Sequence, residues 1–469
     1  MTSPQNSGSK LYLYSITAVA ILGGLLFGYD TAVISGAEQA LQQFFQGSTD
    51  FEYTTFLHGI TSSSALIGCV IGGALSGFFA GRLGRRNSLI LAAGLFFVSA
   101  LGSYNPEFLF FNYGEPSQSL LVAFNCYRVI GGIGVGLASA VCPMYIAELA
   151  PSRIRGTLVS CNQFAIIFGM LVVYFVNYWI KGSIGGDEQM IALGWRKMFL
   201  SEAFPAGIFG LLLLLVPKTP RFLMMTGQES KALKVLRRIN GDKEAAVILN
   251  DIRSTTTQKR EKLFTYGVAV VVIGILLSIF QQAIGINVVL YYAPRIFGNM
   301  GFSGDAAMMQ TVIMGVINIV FTVVAIVTVD KWGRKPLLIV GSVGMMLGMI
   351  LLGTLSFMDS IGMMALVAII VYTASFMMSW GPICWVLISE IFPNTIRGQA
   401  VAIAVAAQWL ANYAVSSTFV PLAEGWSTGG TYLIYATFCL LSILFVWKYV
   451  PETKGKSLED MSRLWKGRK

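Results

Sequence analysis

A nine-residue pattern, E-x-x-P-x-x-I-R-G, occurs twice in this chain, at positions 148–156 and 390–398. The copies lie 242 positions apart in 469 residues, so each half of the chain carries one. A second charged pattern repeats at an offset of 249 positions, as GRLGRR at 81–86 and DKWGRK at 330–335. Both patterns separate long apolar segments, so the repeating unit is embedded in a membrane. Two related membrane halves are typical of secondary transporters.

Apolar segments long enough to cross a bilayer recur along both halves. The chain is 55% hydrophobic and 12% charged, whereas a soluble protein is about a quarter charged. A membrane-spanning helix needs about 20 apolar residues. Twelve such spans begin near Tyr12, Phe56, Asn87, Leu120, Thr157, Lys197, Phe264, Ala306, Leu337, Met363, Gln399 and Thr431. The sequence therefore predicts an all-α membrane protein of twelve transmembrane helices in two pseudo-symmetric six-helix bundles.

The division of the chain follows from these spans. We expect bundles over residues 1–217 and 263–450, a cytoplasmic linker over 218–262 and a cytoplasmic tail over 451–469. The linker has helical spacing of apolar residues over 230–239 and 243–253, which predicts short surface helices separated at Gly241; a disordered tether is the alternative. Small residues at helical spacing predict close packing of spans two and four, at Gly68, Gly72, Gly73, Gly77, Gly132 and Gly136.

The net charge of +10 would suit a nucleic-acid-binding protein, but the placement of the charges argues against that class. If both termini and the loops after even-numbered spans are cytoplasmic, those segments hold 28 of the 33 lysines and arginines. This is the positive-inside bias of membrane proteins. The exceptions are Arg128, Lys181, Arg196, Lys197 and Arg295. We therefore expect a multi-pass protein that contacts the lipid bilayer and no nucleic acid, with both termini in the cytoplasm.

The sequence gives no indication of a metal, a cofactor or an enzymatic site. The six cysteines lie in or at the ends of apolar spans without C-x-x-C spacing, and His58 is the single histidine. Metal binding and disulfide bonds are therefore not expected. The sequence also lacks a Walker-type phosphate loop. Any uphill transport would have to use an ion gradient.

Three ionisable residues interrupt apolar spans: Asp30, Arg128 and Glu202. A charge at the bilayer centre costs about 2.5–3.5 kcal/mol on insertion scales, so such groups pair or serve a transport pathway. Asp30 and Arg128 lie at similar depths, because their helices run in opposite directions. A pair that separates between conformations would take up and release a proton; a fixed ion pair is the alternative. For Glu202, a structural bond to a neighbouring helix end is an equal alternative to proton coupling.

Span seven carries neutral polar groups suited to a sugar. Gln281, Gln282 and Asn287 lie within seven positions, and Gly285 and Pro294 favour a bend or break there. Transporters place binding groups on discontinuous helices. Amides both donate and accept hydrogen bonds, as sugar hydroxyls require.

Further polar and aromatic residues repeat this chemistry in other spans. The amides are Gln163, Asn318, Gln408 and Asn412. For Asn318 and Asn412, a hydrogen bond between helices is the alternative. Trp385 and Trp409 would stack on the apolar face of a sugar ring, with packing or an interfacial anchor as the alternative.

Six motifs together resemble the sugar porter family of the major facilitator superfamily. They are GGLLFGYD at 23–30, GRLGRR at 81–86, PMYIAEL at 143–149, QQAIGIN at 281–287, DKWGRK at 330–335 and PETKG at 451–455. Within that family the chain is most similar to bacterial proton-coupled symporters of the D-xylose kind. The resemblance implies the major facilitator fold, in which two six-helix bundles rock around a central sugar site.

The resemblance also implies roles for individual residues. The family's sugar ligands correspond to Gln163, Gln281, Gln282, Asn287, Trp385 and Gln408, and its cavity lining to Phe27, Tyr291, Asn318 and Trp409. Asp30 matches the carboxylate of proton-coupled members. The family's cytoplasmic charge network corresponds to Arg85, Glu148, Arg155, Arg334, Glu390 and Arg397. Two positions depart from the pattern: Met170 replaces a glutamine, which leaves the preferred sugar open, and Lys218 replaces an acid, which would weaken the network in the first half.

Taken together, the resemblance implies a proton-coupled importer of a monosaccharide, a pentose or hexose like D-xylose, that works by alternating access. A passive hexose or polyol facilitator and a non-transporting sugar sensor are the alternatives. The lack of an N-x-[ST] sequon favours a bacterial inner membrane. We expect a monomer that binds sugar and protons and needs no cofactor.

Overall fold

The structure is a computed structural model that describes residues 8–108, 114–151, 154–255, 262–358, 362–393, 396–454 and 465. All regular secondary structure in these ranges is helical. The helices of the first half are α1 Lys10–Gln46, α2 Thr55–Arg82, α3 Arg85–Tyr104, α4 Gln118–Leu149, α5 Arg155–Gly182, α6 Asp187–Gln189, a π-helical segment Met190–Gly194, α7 Trp195–Ser201 and α8 Ala203–Leu213.

The linker and the second half follow the same all-helical plan. The linker helices are α9 Pro220–Met225, α10 Glu229–Asn240 and α11 Asp242–Thr255. The helices of the second half are α12 Val268–Ala283, α13 Ile286–Tyr291, α14 Ala293–Asn299, α15 Gly304–Trp332, α16 Arg334–Phe357, α17 Met363–Met378, α18 Trp380–Ile391, α19 Arg397–Leu422, a π-helical segment Ala423–Ser427 and α20 Thr428–Tyr449.

Ten helical stretches in the described ranges are long and apolar enough to cross a bilayer. The tenth, Gln399–Tyr449, has 51 residues, about twice the length that one crossing needs. It covers two predicted spans, because the extended backbone of Ser427 reverses the chain and its side chain caps α20. Predicted span six, which begins near Lys197, is absent from the ten, since it is divided into α7 and α8 at Glu202. With these two cases resolved, the described helices account for all twelve predicted spans.

Contacts between helices define two bundles that meet along a central seam. In the first bundle α2 packs on α4, α1 on α5 and α3 on α4. In the second bundle α16 packs on α17 and α20, and α12 packs on α19. Across the seam α2 packs on α19, α5 on α15, and α1 on both α13 and α14. The core of the molecule therefore lies where helices of both halves face one another.

The predicted close approach of spans two and four is confirmed. A Cβ atom added to Gly132 would lie 1.7 Å from the Ala65 carbonyl oxygen, and one added to Gly68 would lie 2.0 Å from that of Val129. Backbones this close exclude any side chain larger than hydrogen. Gly77 differs, because nothing lies within 4 Å of its added Cβ. The small-residue pattern thus marks the packed face over only part of its length.

The linker forms a helical unit on one face of the molecule. Helices α10 and α11 confirm the two predicted surface helices, and Gly241 separates them with a φ of +82°. The backbone amide of Ser9 donates to the carbonyl of Arg238 at 2.9 Å, so the start of α1 lies against α10. Since each half crosses an even number of times, the segment after α20 returns to this same face, hereafter the linker face.

Candidate functional site

The seventh span is broken where glycine and proline predict it. Helix α12 ends at Ala283, and Gly285 then adopts a left-handed φ of +89° before α13 begins. Pro294 occupies the first turn of α14, where its missing amide costs no hydrogen bond. The hydroxyl of Tyr372 donates to the Ile284 carbonyl at 2.7 Å, which satisfies a backbone group freed by the break. The predicted discontinuity is confirmed, and it brings the amides of α12 and α13 together.

Four amide side chains form one hydrogen-bonded cluster at the centre of the second half. Asn287 donates to the Gln282 carbonyl oxygen at 2.5 Å, and Gln282 donates to that of Gln281 at 3.3 Å. Gln408 of α19 donates to the same Gln281 oxygen at 2.5 Å. Gln281 donates in turn to the backbone oxygen of Trp380 at 2.9 Å. We call these four residues, Gln281, Gln282, Asn287 and Gln408, the amide cluster.

Two aromatic residues close the seam beside this cluster. The rings of Phe27 on α1 and Trp409 on α19 lie 5.4 Å apart between centroids at an interplanar angle of 54°. Tyr291 accepts a hydrogen bond from the Asn412 amide at 3.3 Å. Asn412 also accepts from Ser416 of the same helix at 3.0 Å, so its bond to Tyr291 is the interhelical contact that the structural alternative requires.

Several buried polar atoms of the predicted sugar-site residues have no hydrogen-bond partner among the described residues. They are the carbonyl oxygens of Gln408 and Asn318 and the indole nitrogen of Trp409. Buried polar groups are nearly always paired in proteins. Two acceptors and one donor therefore point to a hydroxyl-bearing ligand or water in this region.

The remaining predicted sugar ligands lie on other helices. Gln163 on α5 and Trp385 on α18 are half-buried, and Met170 on α5 is buried. A Cβ on Gly28 would lie 1.9 Å from the Ile166 carbonyl oxygen, so α5 lies directly against α1 near Phe27.

Asp30 and Arg128 form a buried ion pair inside the first half. Arg128 donates to the Asp30 carboxylate at 2.6 Å and to its backbone oxygen at 3.2 Å. Asp30 is 0% exposed and Arg128 is 2% exposed. The guanidinium also lies over the Phe199 ring, 4.9 Å from its centroid. The second carboxylate oxygen of Asp30 is without a partner among the described residues.

Glu202 lies beside this pair, at the junction between α7 and α8. Its side chain is fully buried, and neither carboxylate oxygen has a hydrogen-bond partner in the described part of the chain. No hydrogen bond from Glu202 to a helix end is present among the described residues, and its acidic neighbour is Asp30; its role stays a prediction. Asp30, Arg128 and Glu202 place two carboxyl groups and one guanidinium in a single buried site.

Charged residues at the linker face pair within their own halves. Arg85 contacts Glu148 at 2.7 Å in the first half, and Arg334 contacts Glu390 at 3.1 Å in the second. The other two predicted members of the network, Arg155 and Arg397, have side chains outside the described residues.

The two halves differ at the segment V-P-x-T, which follows the last span of each half. In the second half its acid, Glu452, accepts from the backbone amides of Arg334 at 3.1 Å and Lys335 at 2.9 Å. Partial burial acts to raise the pKa of Glu452, but these donors and the amide of Lys454 outweigh it and hold that pKa below its ordinary value of 4.5. In the first half Lys218 occupies the matching position, with its ammonium 5.8 Å from the Phe222 ring centroid.

One charged cluster was not predicted, and it joins the halves at the face opposite the linker. Arg295 on α14 contacts Glu38 on α1 at 2.5 Å and Glu424 at 2.7 Å. His58 on α2 contacts the same Glu38 at 2.6 Å. The signals in the sequence were Arg295, which breaks the positive-inside bias, and an acid near the end of span one. The bridge closes the seam on this face.

Two six-helix bundles around a broken helix and a polar centre define a membrane transporter of the major facilitator class. A family model described as "Sugar (and other) transporter" matches residues 16–465. The chain belongs to this family of sugar transporters, and it is not an enzyme.

Named relatives cover almost the whole chain. The D-xylose-proton symporter of Escherichia coli K12 is 53% identical over 97% of this chain and 96% of its own length. The glucose facilitated diffusion protein of Zymomonas mobilis is 39% identical over 97% of this chain and 98% of its own.

Solved structures of a xylose transporter from Escherichia coli have the same fold. Its partially occluded inward-open conformation matches with a TM-score of 0.88 at 51% identity, over 96% of this chain and all of that one. A complex of the proton:xylose symporter with 6-bromo-6-deoxy-D-glucose matches with a TM-score of 0.84 at 52% identity, over 97% of this chain and 99% of that one.

Proposed function

We propose that this protein imports a monosaccharide, a pentose or hexose of the D-xylose kind, together with a proton. The observation that carries the proposal is the buried site of Asp30, Arg128 and Glu202, which holds two carboxyl groups against one guanidinium. The relative with 53% identity is named a D-xylose-proton symporter, and this supports the same activity here. The bundles over 1–217 and 263–450 would rock about the seam to expose the site alternately to each side.

The amide cluster would bind the sugar. Each of its amide side chains offers an N–H donor and a carbonyl acceptor close together, which suits the donors and acceptors of adjacent sugar hydroxyls. The unpartnered oxygen of Gln408 and indole nitrogen of Trp409 would complete their hydrogen bonds to the ligand. Trp385, Gln163, Asn318 and Phe27 would line the remaining sides. Met170 adds an apolar surface to the pocket, so a sugar with fewer hydroxyls on that side would fit best.

The carboxyl site would carry the proton. With Arg128 as the single cation, the site is neutral when one of the two acids holds a proton. Burial makes any imbalance of charge costly. If Arg128 withdrew from Asp30 in another conformation, the site would have to bind one more proton to stay neutral. That change lets conformation and protonation drive each other.

The orientation in the membrane follows from charge. The linker face would be cytoplasmic, because it carries the linker and the ends of both halves, where basic residues concentrate. Large exposed apolar side chains on the helices, such as Phe204, Leu211, Val320, Leu347 and Trp447, would face lipid. We propose a monomer in the inner membrane of a bacterium.

Replacement of Asp30 by asparagine tests the coupling. The Asp30→Asn variant in proteoliposomes should lose sugar accumulation under an imposed pH gradient but keep sugar exchange at equal pH. The exposed Asp187→Asn variant is the matched control and should accumulate like the wild type. Accumulation by Asp30→Asn at wild-type level would refute the assignment of Asp30.

A passive facilitator is the second candidate, because a glucose facilitated diffusion protein is 39% identical. The same vesicles decide between the two. A symporter concentrates sugar when the outside is acidic, whereas a facilitator only equilibrates it. Counterflow against pentoses, hexoses and inositols would then identify the sugar.

A further inference from the structure

A cluster of charged groups closes the seam at the face opposite the linker, which is the outside in the proposed orientation. Glu38 and His58 belong to the first half and are 1% and 0% exposed. Arg295 and Glu424 belong to the second half. The side chain of Arg295 is 13% exposed and that of Glu424 is 45% exposed. We call these four residues the outer-seam cluster; none of them has a role in the transport sites described above.

Two basic groups compete for one acceptor in this cluster. The Nε2 atom of His58 and the Nη2 atom of Arg295 both contact the same oxygen of Glu38, at 2.6 and 2.5 Å. The Arg295–Glu38 contact crosses the seam, so it must break when the outside opens. The His58–Glu38 contact lies within the first half and can persist. Opening therefore changes which cations face Glu38.

The hydrogen bonds of His58 suit both of its protonation states. Its Nδ1 atom lies 3.2 Å from the hydroxyl of Tyr53. A neutral ring with the proton on Nε2 donates to Glu38 and accepts from Tyr53. When a proton binds to Nδ1, the ring donates to both, and the Tyr53 hydroxyl turns to accept. No other group has to move.

The charges around His58 decide in which state that proton is held. Of the titratable and charged groups around it, Glu38 and Tyr53 contact His58 directly, whereas Arg295, Tyr292 and Glu424 lie beside Glu38 or Arg295. Arg295 lies no more than about 5 Å from His58, a separation at which two cations in a dry site repel each other. Glu424 is farther away, behind Arg295, and half-exposed. When the second half withdraws, the loss of the nearer cation dominates.

We propose that His58 and Glu38 form a second proton-binding site, which is loaded from the outside as Arg295 leaves Glu38. External acid then favours the outward-open state, because a proton on His58 displaces Arg295 from their shared oxygen. The inference rests on the proposed orientation and on alternating access. It is independent of Asp30, which lies in a different part of the first half. Histidine is suited to this role, since it commonly titrates between about pH 5 and 8.

The distance between spin labels on the two halves measures outer opening directly. Labels are attached at Asp50→Cys and Ser303→Cys, both exposed at the outer ends of their halves, in a background without the native cysteines. The Asp30→Asn and Glu202→Gln changes are both included so that neither acid of the coupling site contributes. Between pH 7.5 and 5.5 the long-distance population should rise by about threefold. His58→Asn should abolish this response while sugar binding by calorimetry is retained.

Two further variants separate a proton site from a merely structural contact. Glu424→Gln, the matched control, should increase the open population at both pH values and keep the response. Glu38→Gln should increase the open population at both pH values and lose the pH response. An unchanged pH response in His58→Asn, or a population that falls with acid, would overturn the proposal. Failure of proton-driven sugar accumulation in vesicles would instead overturn the proposed function and leave this result standing.

Discussion

The Lys218→Glu substitution should stabilise the first half by supplying an acid that the second half already has. Glu452 accepts two backbone amides at the start of α16, from Arg334 and Lys335. Lys218 occupies the matching place in the V-P-x-T segment of the first half. The N-cap residue of α3 is Gly84, which has no side chain to cap that helix. A lysine near a helix N-terminus is also unfavourable, because the helix dipole is positive there.

The size of the effect can be worked from the two halves. Loss of an N-cap side chain costs about 0.5–2 kcal/mol, and a carboxylate near an exposed helix N-terminus contributes about 0.3–1 kcal/mol. The site is partly exposed, so we expect a gain of about 1 kcal/mol. For a bundle of about 200 residues this corresponds to a rise in melting temperature of about 2–4 °C.

Thermal unfolding of the purified protein in detergent is the measurement. Lys218→Gln, the control that removes only the positive charge, should gain less than Lys218→Glu. The mirror substitution Glu452→Lys should lower the melting temperature. A Lys218→Glu variant no more stable than Lys218→Gln would refute the reasoning.

The pH dependence at Glu452 adds a second test. Its pKa is lower in the folded protein than its ordinary value of 4.5, so its contribution to stability is present above that value. The contribution is lost as the pH falls below about 4.5 through the lower, folded pKa. The difference in melting temperature between wild type and Glu452→Gln should therefore be constant near neutral pH and shrink below about pH 4.5. A difference that persists unchanged in acid would mean that the carboxylate charge is not the cause.

Two other predictions concern the sugar site and the packing of the first half. Gln282→Ala and Trp385→Ala should each weaken sugar binding by about fivefold or more, because about 1 kcal/mol of contact is lost. Calorimetry measures the affinity, with the exposed-site variants Gln189→Ala and Trp447→Ala as controls. An unchanged affinity would remove the substituted residue from the site. Gly132→Ala should destabilise the protein by about 1–3 kcal/mol, because its Cβ would lie 1.7 Å from the Ala65 carbonyl oxygen, whereas Gly77→Ala has open space and should not; equal melting temperatures would contradict the close packing.

The architecture of this chain could be predicted because its signals are local. Runs of apolar residues locate the spans, and Gly285 and Pro294 locate the break in span seven. The positions of helix ends were less accurate. Helix α12 begins at Val268 rather than near Phe264, since Gly267 takes a φ of +92° that stops the preceding turn. Span six was predicted as one helix beginning near Lys197, but it is divided into α7 and α8 at Glu202.

The outer-seam cluster could not be predicted, because it depends on contacts between distant parts of the chain. Glu38 and Arg295 are separated by 257 positions and lie in different halves. Each looks like an ordinary charge at the end of a span. The duplicated sequence patterns did not indicate this cluster, since they lie at the linker face. The outer-seam cluster forms only when the two bundles lie together at the seam.

The positions of the two sites indicate how sugar and proton would be coupled. The amide cluster belongs to the second half and the Asp30–Arg128 pair to the first, so neither site alone links the two ligands. Tyr291 is the residue between them: it is buried on α13 beside the cluster, accepts from Asn412, and lies close enough to Asp30 and Arg128 to interact with their charges. Helix α13 is short and begins at a left-handed glycine, so it can move without distorting α12. A sugar bound to both Gln282 of α12 and Asn287 of α13 would move α13 toward α12 and so shift Tyr291 relative to Asp30. Coupling would then depend on one broken helix pressing against α1 across the seam.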